Sequence, residues 1–117
     1  MLARMNNSIN IVECGTSFGL STIYLALAVG QNAAITSRKA FGVLTMEKDS
    51  KKIAKARETW AQAGAAVADW IHPKDGDLLE ILAEGINIPD TIDLLFLDGR
   101  SSKTTFTKIR CILLTIS

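Results

Sequence analysis

The stretch from Ile11 to Leu27 reads IVECGTSFGLSTIYLAL, and it decides the fold. Together with Ile9 and Asn10 it opens as a short apolar run with β-branched residues, closing in Glu13, Cys14 and Gly15, the pattern of a buried strand. Gly15 to Ser21 is a turn of small residues rich in Gly, Ser and Thr. From about Ser21 to Ala34 the chain is rich in Ala and Leu, which favour helix. The order is strand, glycine turn, helix.

Outward from this unit the same alternation continues. Gln31 to Lys39 is polar and loops out, and Phe41 to Met46 forms a second strand with Glu47 at its carboxyl end. Asp49 caps a helix from about Ser50 to Ala63, where Ile53, Ala56, Trp60 and Ala63 recur on one apolar face and Gly64 supplies the stop. Ala66 to Ile71 is expected as a third, weaker strand that Pro73 prevents from extending. Leu78 to Glu84 is a short helix stopped by Gly85, and Ile92 to Leu97 is a strong strand ending in Asp98-Gly99. Phe106 to Ile116 is apolar enough for a last helix, or for a helix running into a strand. Alternation of this kind predicts an α/β domain with a parallel sheet, helices on both faces and right-handed crossovers. In such sheets ligands bind outside the carboxyl ends of the strands, near the topological switch point.

Composition narrows the class further. The 117 residues suit one domain, residues 1–117, and 48% of them are apolar, enough for a core. Thirteen basic residues against 12 acidic ones leave a net charge of +1, which argues against a dedicated nucleic-acid binder. Cys14 and Cys111 match no metal-ligand spacing, and a buried free thiol at Cys14 fits a reducing cytoplasm. The most apolar stretch, Ile23 to Val29, is far shorter than the roughly 20 residues of a membrane span. The N-terminus lacks the apolar middle of a signal peptide, and no internal repeat is seen.

The chemistry-bearing residues fall at strand ends. Glu13 precedes a turn with glycines at 15 and 19, a G-x-x-x-G spacing rather than the G-x-G-x-x-G of a dinucleotide-binding turn. Glycine permits positive φ and close approach of a ligand, and an acid at this place suits a cationic group such as an α-amino group. The alternative is a tight turn with no ligand. Glu47 is placed to accept from the two hydroxyls of a ribose, or stands as a solvated acid beside Lys48, Lys51 and Lys52. Asp77 can accept from an adenine amino group, cap the helix from Leu78, or do both. Asp98 faces the same cleft as a base, a metal ligand or a turn former before Gly99, and one carboxylate alone makes no metal site. Phe18 lines the ligand site, whereas Trp60 and Trp70 read as core or partly covered surface. His72 is the only histidine, in a loop beside Pro73 with no nucleophile paired to it.

These residues resemble a known family. Ile11 to Leu27 is similar to the first motif of class I S-adenosylmethionine-dependent O-methyltransferases, in particular the small-molecule and catechol type, whose turn commonly reads E-I-G-T-x-x-G-x-S. Leu44 to Gly64, Asp75 to Leu79 and Asp93 to Gly99 resemble the second, third and fourth motifs in order. The resemblance implies a Rossmann-like methyltransferase fold, with a partial parallel sheet of about four strands in the order 3-2-1-4. It implies S-adenosylmethionine as cofactor, with Glu13, Gly15 and Gly19 on its methionine part, Glu47 on its ribose and Asp77 near its adenine. Thr16, Phe18 and Ser21 count with the turn as cofactor-binding positions. Asp98 takes the catalytic position, where metal-dependent members place a ligand for a divalent metal such as Mg.

The implied reaction moves the sulfonium methyl to an oxygen of a small-molecule acceptor. Family members carry helices before the first motif and three strands after the fourth; about eight residues precede the first strand here, and the usual C-terminal strands are lacking before Ser117. The fourth strand is then an exposed edge through which a homo-oligomer can form. A non-catalytic S-adenosylmethionine-binding module is the alternative function. An NAD-linked oxidoreductase is disfavoured by the glycine spacing and by Glu13. The expectation is a cytoplasmic methyltransferase with neither a nucleic-acid nor a membrane partner.

Overall fold

The computed structural model describes residues 7–16, 19–76, 80, 81, 83, 88, 89 and 91–97. Strand β1 (Asn10–Cys14) leads into helix α1 (Leu20–Ala33) and strand β2 (Gly42–Glu47). Helix α2 (Ser50–Ala63), the single turn α3 (Ala65–Ala68), strand β3 (Ile71–Asp75) and strand β4 (Leu94–Leu97) follow. The four strands form one sheet in the order β3-β2-β1-β4, so the expected order is met. Every pairing is parallel: Val12 lies beside both Leu44 and Leu95, and Cys14 beside both Met46 and Leu97. All four carboxyl ends therefore reach the same edge. The chain reverses its direction of travel across the sheet between β1 and β4, and that is the switch point.

Alternation along β1 divides the core in two. Ile11 faces one side with Val43 and Ile71, packed by Leu25, Ala26, Ala28 and Val29 of α1, by Ala56 and Trp60 of α2, and by Val67 of α3. Val12 and Cys14 face the other side with Leu44 and Met46, packed by Ile81. Both crossovers from β1 to β3 move the same way along the sheet, so the right-handed rule puts α1 and α2 on the same face. Residues 80, 81 and 83 are helical, as expected for Leu78 to Glu84, and Ile81 serves the opposite face. Ile11, Val12, Val29, Val43 and Leu44 have no exposed surface, and each such side chain contributes about 1.5–3 kcal/mol of transfer free energy.

The helix signals act as expected. The Asp49 carboxylate accepts from the backbone N–H groups of Lys51 and Lys52 at the start of α2, and Gly64, with φ +98°, ends it. Ile53, Ala56 and Trp60 are buried, but Ala63, the last residue of α2, is exposed.

The third strand corrects the sequence-based expectation. Ala65–Ala68 is helical, and the strand begins later, at Ile71, with Pro73 and His72 inside it rather than in a loop. The ladder explains why Pro73 is tolerated. Val43 N–H donates to Trp70 O, and Gly76 N–H donates to Glu47 O, so the even-numbered residues of β3 turn their backbone groups to β2. The N–H that proline lacks falls on the outer side of the described sheet. His72 is structural: its Nε2 lies 2.8 Å from Phe41 O, and a carbonyl only accepts, so Nε2 carries the proton.

The opposite, amino-terminal edge is tied by Asp93. Its Oδ2 accepts from the N–H groups of Ile9 and Asn10, each at 3.0 Å, and Oδ1 meets Arg38 at 3.1 Å. Arg38 belongs to the loop expected from Gln31 to Lys39, which starts only after Ala33 because α1 continues to that residue, and this loop closes the end of the sheet remote from the strand carboxyl ends. Cys111 and the segment from Phe106 to Ile116 lie outside the described residues.

Candidate functional site

The glycine turn is held at three points. Gly15, with φ +88°, and Thr16 both donate their N–H to Met46 O, at 2.9 and 3.1 Å, which fastens the start of the turn to the end of β2. Gly19 N–H donates to Thr16 O at 3.0 Å and closes the turn on itself. Gly19, with φ +89°, is the left-handed cap of α1, and its carbonyl accepts the indole N–H of Trp60 at 3.0 Å. Positive φ at both glycines explains their spacing, because other residues adopt that region at a cost.

Beneath the turn runs a chain of hydroxyls ending on a carboxylate. Thr45 Oγ1 donates to Glu13 Oε1 at 2.7 Å, and Thr22 Oγ1 donates to the same oxygen at 2.5 Å. A hydroxyl has one proton, so the 2.5 Å contact between Thr16 and Thr45 is donated by Thr16. Glu13 is only 1% exposed, so this carboxylate sits under the turn rather than on its surface. Thr22 and Thr45 were not singled out from the sequence. Their signal was faint: a threonine on the apolar face of α1 and another in an otherwise apolar strand.

Glu47 is half-buried at the carboxyl end of β2, and its Oε2 accepts from Asp49 N–H at 3.2 Å. It stands beside Asp75 in register, so a second acid missed from the sequence reaches the same edge. Ser21 is exposed in the first turn of α1, a turn without acidic residues. A helix N-terminus of this kind favours an anionic group. The structure thus gathers Glu13, Gly15, Thr16, Gly19, Ser21 and Glu47 around the ends of β1 and β2. Phe18, Asp77 and Asp98 lie outside the described residues. Among the described residues no group of three or more His, Cys, Asp or Glu side chains is arranged to hold a metal ion. No described helix is long and apolar enough to cross a membrane.

A parallel sheet ordered 3-2-1-4, a G-x-x-x-G turn over a buried acid and a further acid ending the second strand define a Rossmann-like domain of the methyltransferase class. The chain belongs to the methyltransferase domain family, whose model matches residues 12–115. It is similar to the O-methyltransferase TomG of Streptomyces achromogenes, solved with SAM and involved in tomaymycin synthesis, at 27% identity, a TM-score of 0.75, and coverage of 99% of this chain and 47% of that one. An O-methyltransferase of Bacillus cereus in complex with SAH matches at 26% identity and a TM-score of 0.77, over 99% of this chain and 48% of that one. Cofactor-bound Rv0187 of MTB matches at 28% identity and a TM-score of 0.76, over 99% and 47%. The chain spans about half the length of these solved structures. No curated protein matches it in sequence.

Proposed function

We propose that this chain binds S-adenosylmethionine and serves in the O-methylation of a small molecule. The observation that carries this is the glycine turn, positive in φ at Gly15 and Gly19 and tied to the end of β2 beside Glu47. The likeness to O-methyltransferases solved with SAM or SAH supports it.

The donor set suits each part of the cofactor. The N-terminus of α1, with Ser21 in its first turn, favours the methionine carboxylate. Gly15, Thr16 and Gly19 offer the backbone of the turn to the amino-acid end, and Phe18 is the apolar residue we assign to the same site. Glu13, buried under the turn, is the acid we assign to the ammonium end of the methionine. Glu47 accepts from the ribose hydroxyls, and Asp77 from the adenine amino group. When bound, the cofactor supplies an electrophilic methyl on a sulfonium. The part left to this chain is to orient the acceptor oxygen toward that methyl and to provide a base for the proton it gives up. Asp98 is the position we assign to that base, or to one ligand of a divalent metal such as Mg.

The balanced charge suits a small-molecule acceptor in the cytoplasm rather than a nucleic acid. We further read residues 1–117 as one domain and the β4 side of the described sheet as a surface for homo-oligomer formation. Calorimetric titration with SAM, SAH and NAD tests the cofactor. Heat with the first two and none with NAD is expected; a folded chain that binds neither SAM nor SAH would reduce the motifs to scaffold.

A further inference from the structure

Trp60 lies toward the carboxyl end of α2 and is 4% exposed. Apolar packing accounts for its ring, since it sits in the cluster built on Ile11, Val43 and α1. Packing does not account for its N–H. That group is spent on Gly19 O, at 3.0 Å and 41 residues away in sequence. The same carbonyl takes the N–H of Ile23 at 3.2 Å, the first bond of α1. The fit is close: a Cβ on Gly19 would lie 2.6 Å from Trp60 Nε1 and 3.0 Å from Ala56 Cβ. A Phe or Leu at position 60 would also fill this part of the core, but would carry no donor. The helix that presents Trp60 begins at Asp49, whose N–H bonds Glu47 Oε2. One rigid element therefore touches both the second glycine of the turn and the acid ending β2.

We propose that Trp60 is a positioning residue of the cofactor site: its indole N–H holds the Gly19 carbonyl, and with it the glycine turn, in the conformation that receives the amino-acid end of S-adenosylmethionine. This rests on the cofactor role proposed above. Without the bond the turn populates other conformations, and apparent affinity falls by the fraction of time the competent one is lost. One net hydrogen bond sets that loss at about fivefold. The adenosine end, held at β2 and β3, is unaffected.

The test uses the whole chain and its Trp60→Phe variant, titrated calorimetrically with SAH and, separately, with adenosine. Trp60→Phe is expected to bind SAH about fivefold more weakly and adenosine as the parent does. Equal SAH affinity, or an equal loss for both ligands as a merely structural role would give, overturns the proposal. A second measurement does not depend on that variant folding. The chain has two tryptophans, so Trp70→Phe leaves the indole N–H resonance of Trp60 alone in the spectrum. That signal should shift on saturation with SAH and stay in place with adenosine; an unmoved signal with SAH overturns the proposal. Absence of SAH binding by the parent chain is a different failure, which removes the cofactor role itself and this inference with it.

Discussion

Single residues carry the site through bonds that are short in space and long in sequence. Thr45 is the clearest case, because its one hydroxyl donates to Glu13 and accepts from Thr16. Thr45→Val keeps the shape of the side chain but removes both bonds in a buried place. The expected cost is about 1–3 kcal/mol of unfolding free energy, read from urea melts. Gly19→Ala combines a left-handed φ with a Cβ driven to 2.6 Å from the Trp60 indole nitrogen. It is expected to lower stability by about 2 kcal/mol or more, and an unchanged denaturation midpoint would show that the turn relaxes freely. Glu47→Ala removes a half-buried carboxylate and, with it, one exposed bond from Asp49 N–H. It should weaken SAH binding while leaving the melting temperature near that of the parent, and unchanged affinity would take Glu47 out of the site.

At the scale of elements, the caps and the ladder explain where each piece begins and ends. Asp49→Ala leaves the N–H groups of Lys51 and Lys52 without their carboxylate acceptor. A loss of about 1 kcal/mol is expected, seen as a lower thermal midpoint. The start of α2 was readable because a cap is a local device, an acid one residue before a helix whose apolar face recurs at Ile53, Ala56 and Trp60. The third strand was misplaced because Pro73 is a breaker only where its N–H would be needed. Whether that N–H faces a neighbour or open space depends on the register of β3 against β2, which the residues around Pro73 do not encode.

For the whole molecule, the ends of the sheet behave differently. The carboxyl edge gathers the polar site, and the amino edge is closed by Asp93. Burial works to raise the pKa of Asp93, but the bonds from Ile9 N–H, Arg38 and Asn10 N–H outweigh it and hold the group below its ordinary 3.8. A depressed carboxylate contributes stability that is full above the unfolded-state pKa and is lost as pH falls through the folded one. The stability gap between the parent and Asp93→Asn should therefore be constant near neutral pH and shrink below about pH 4. A gap that stays level to pH 3 would mean that Asp93 contributes no charge-dependent stability. The Arg38 part of it should be small and fade with salt, because that side chain is 53% exposed.

The sequence alone determined the alternation of strand and helix, the positions of the glycine turn and the α2 cap, and the acids at the ends of β1 and β2. These follow from periodicity, backbone freedom and capping, each set by residues within a few positions of one another. The strand order 3-2-1-4 came by family resemblance, and the right-handed crossover accounts for the shared face of α1 and α2. Only the tertiary structure decided that Glu13 lies buried under the turn, that Thr45 links it to Thr16, that Asp75 stands beside Glu47 and that Trp60 holds Gly19. The partners in the Thr16–Thr45 and Trp60–Gly19 bonds are 29 and 41 residues apart. Which of many distant side chains meets a given carbonyl or hydroxyl is settled by the packing of α1 and α2 on one face of the sheet, and no local pattern records it.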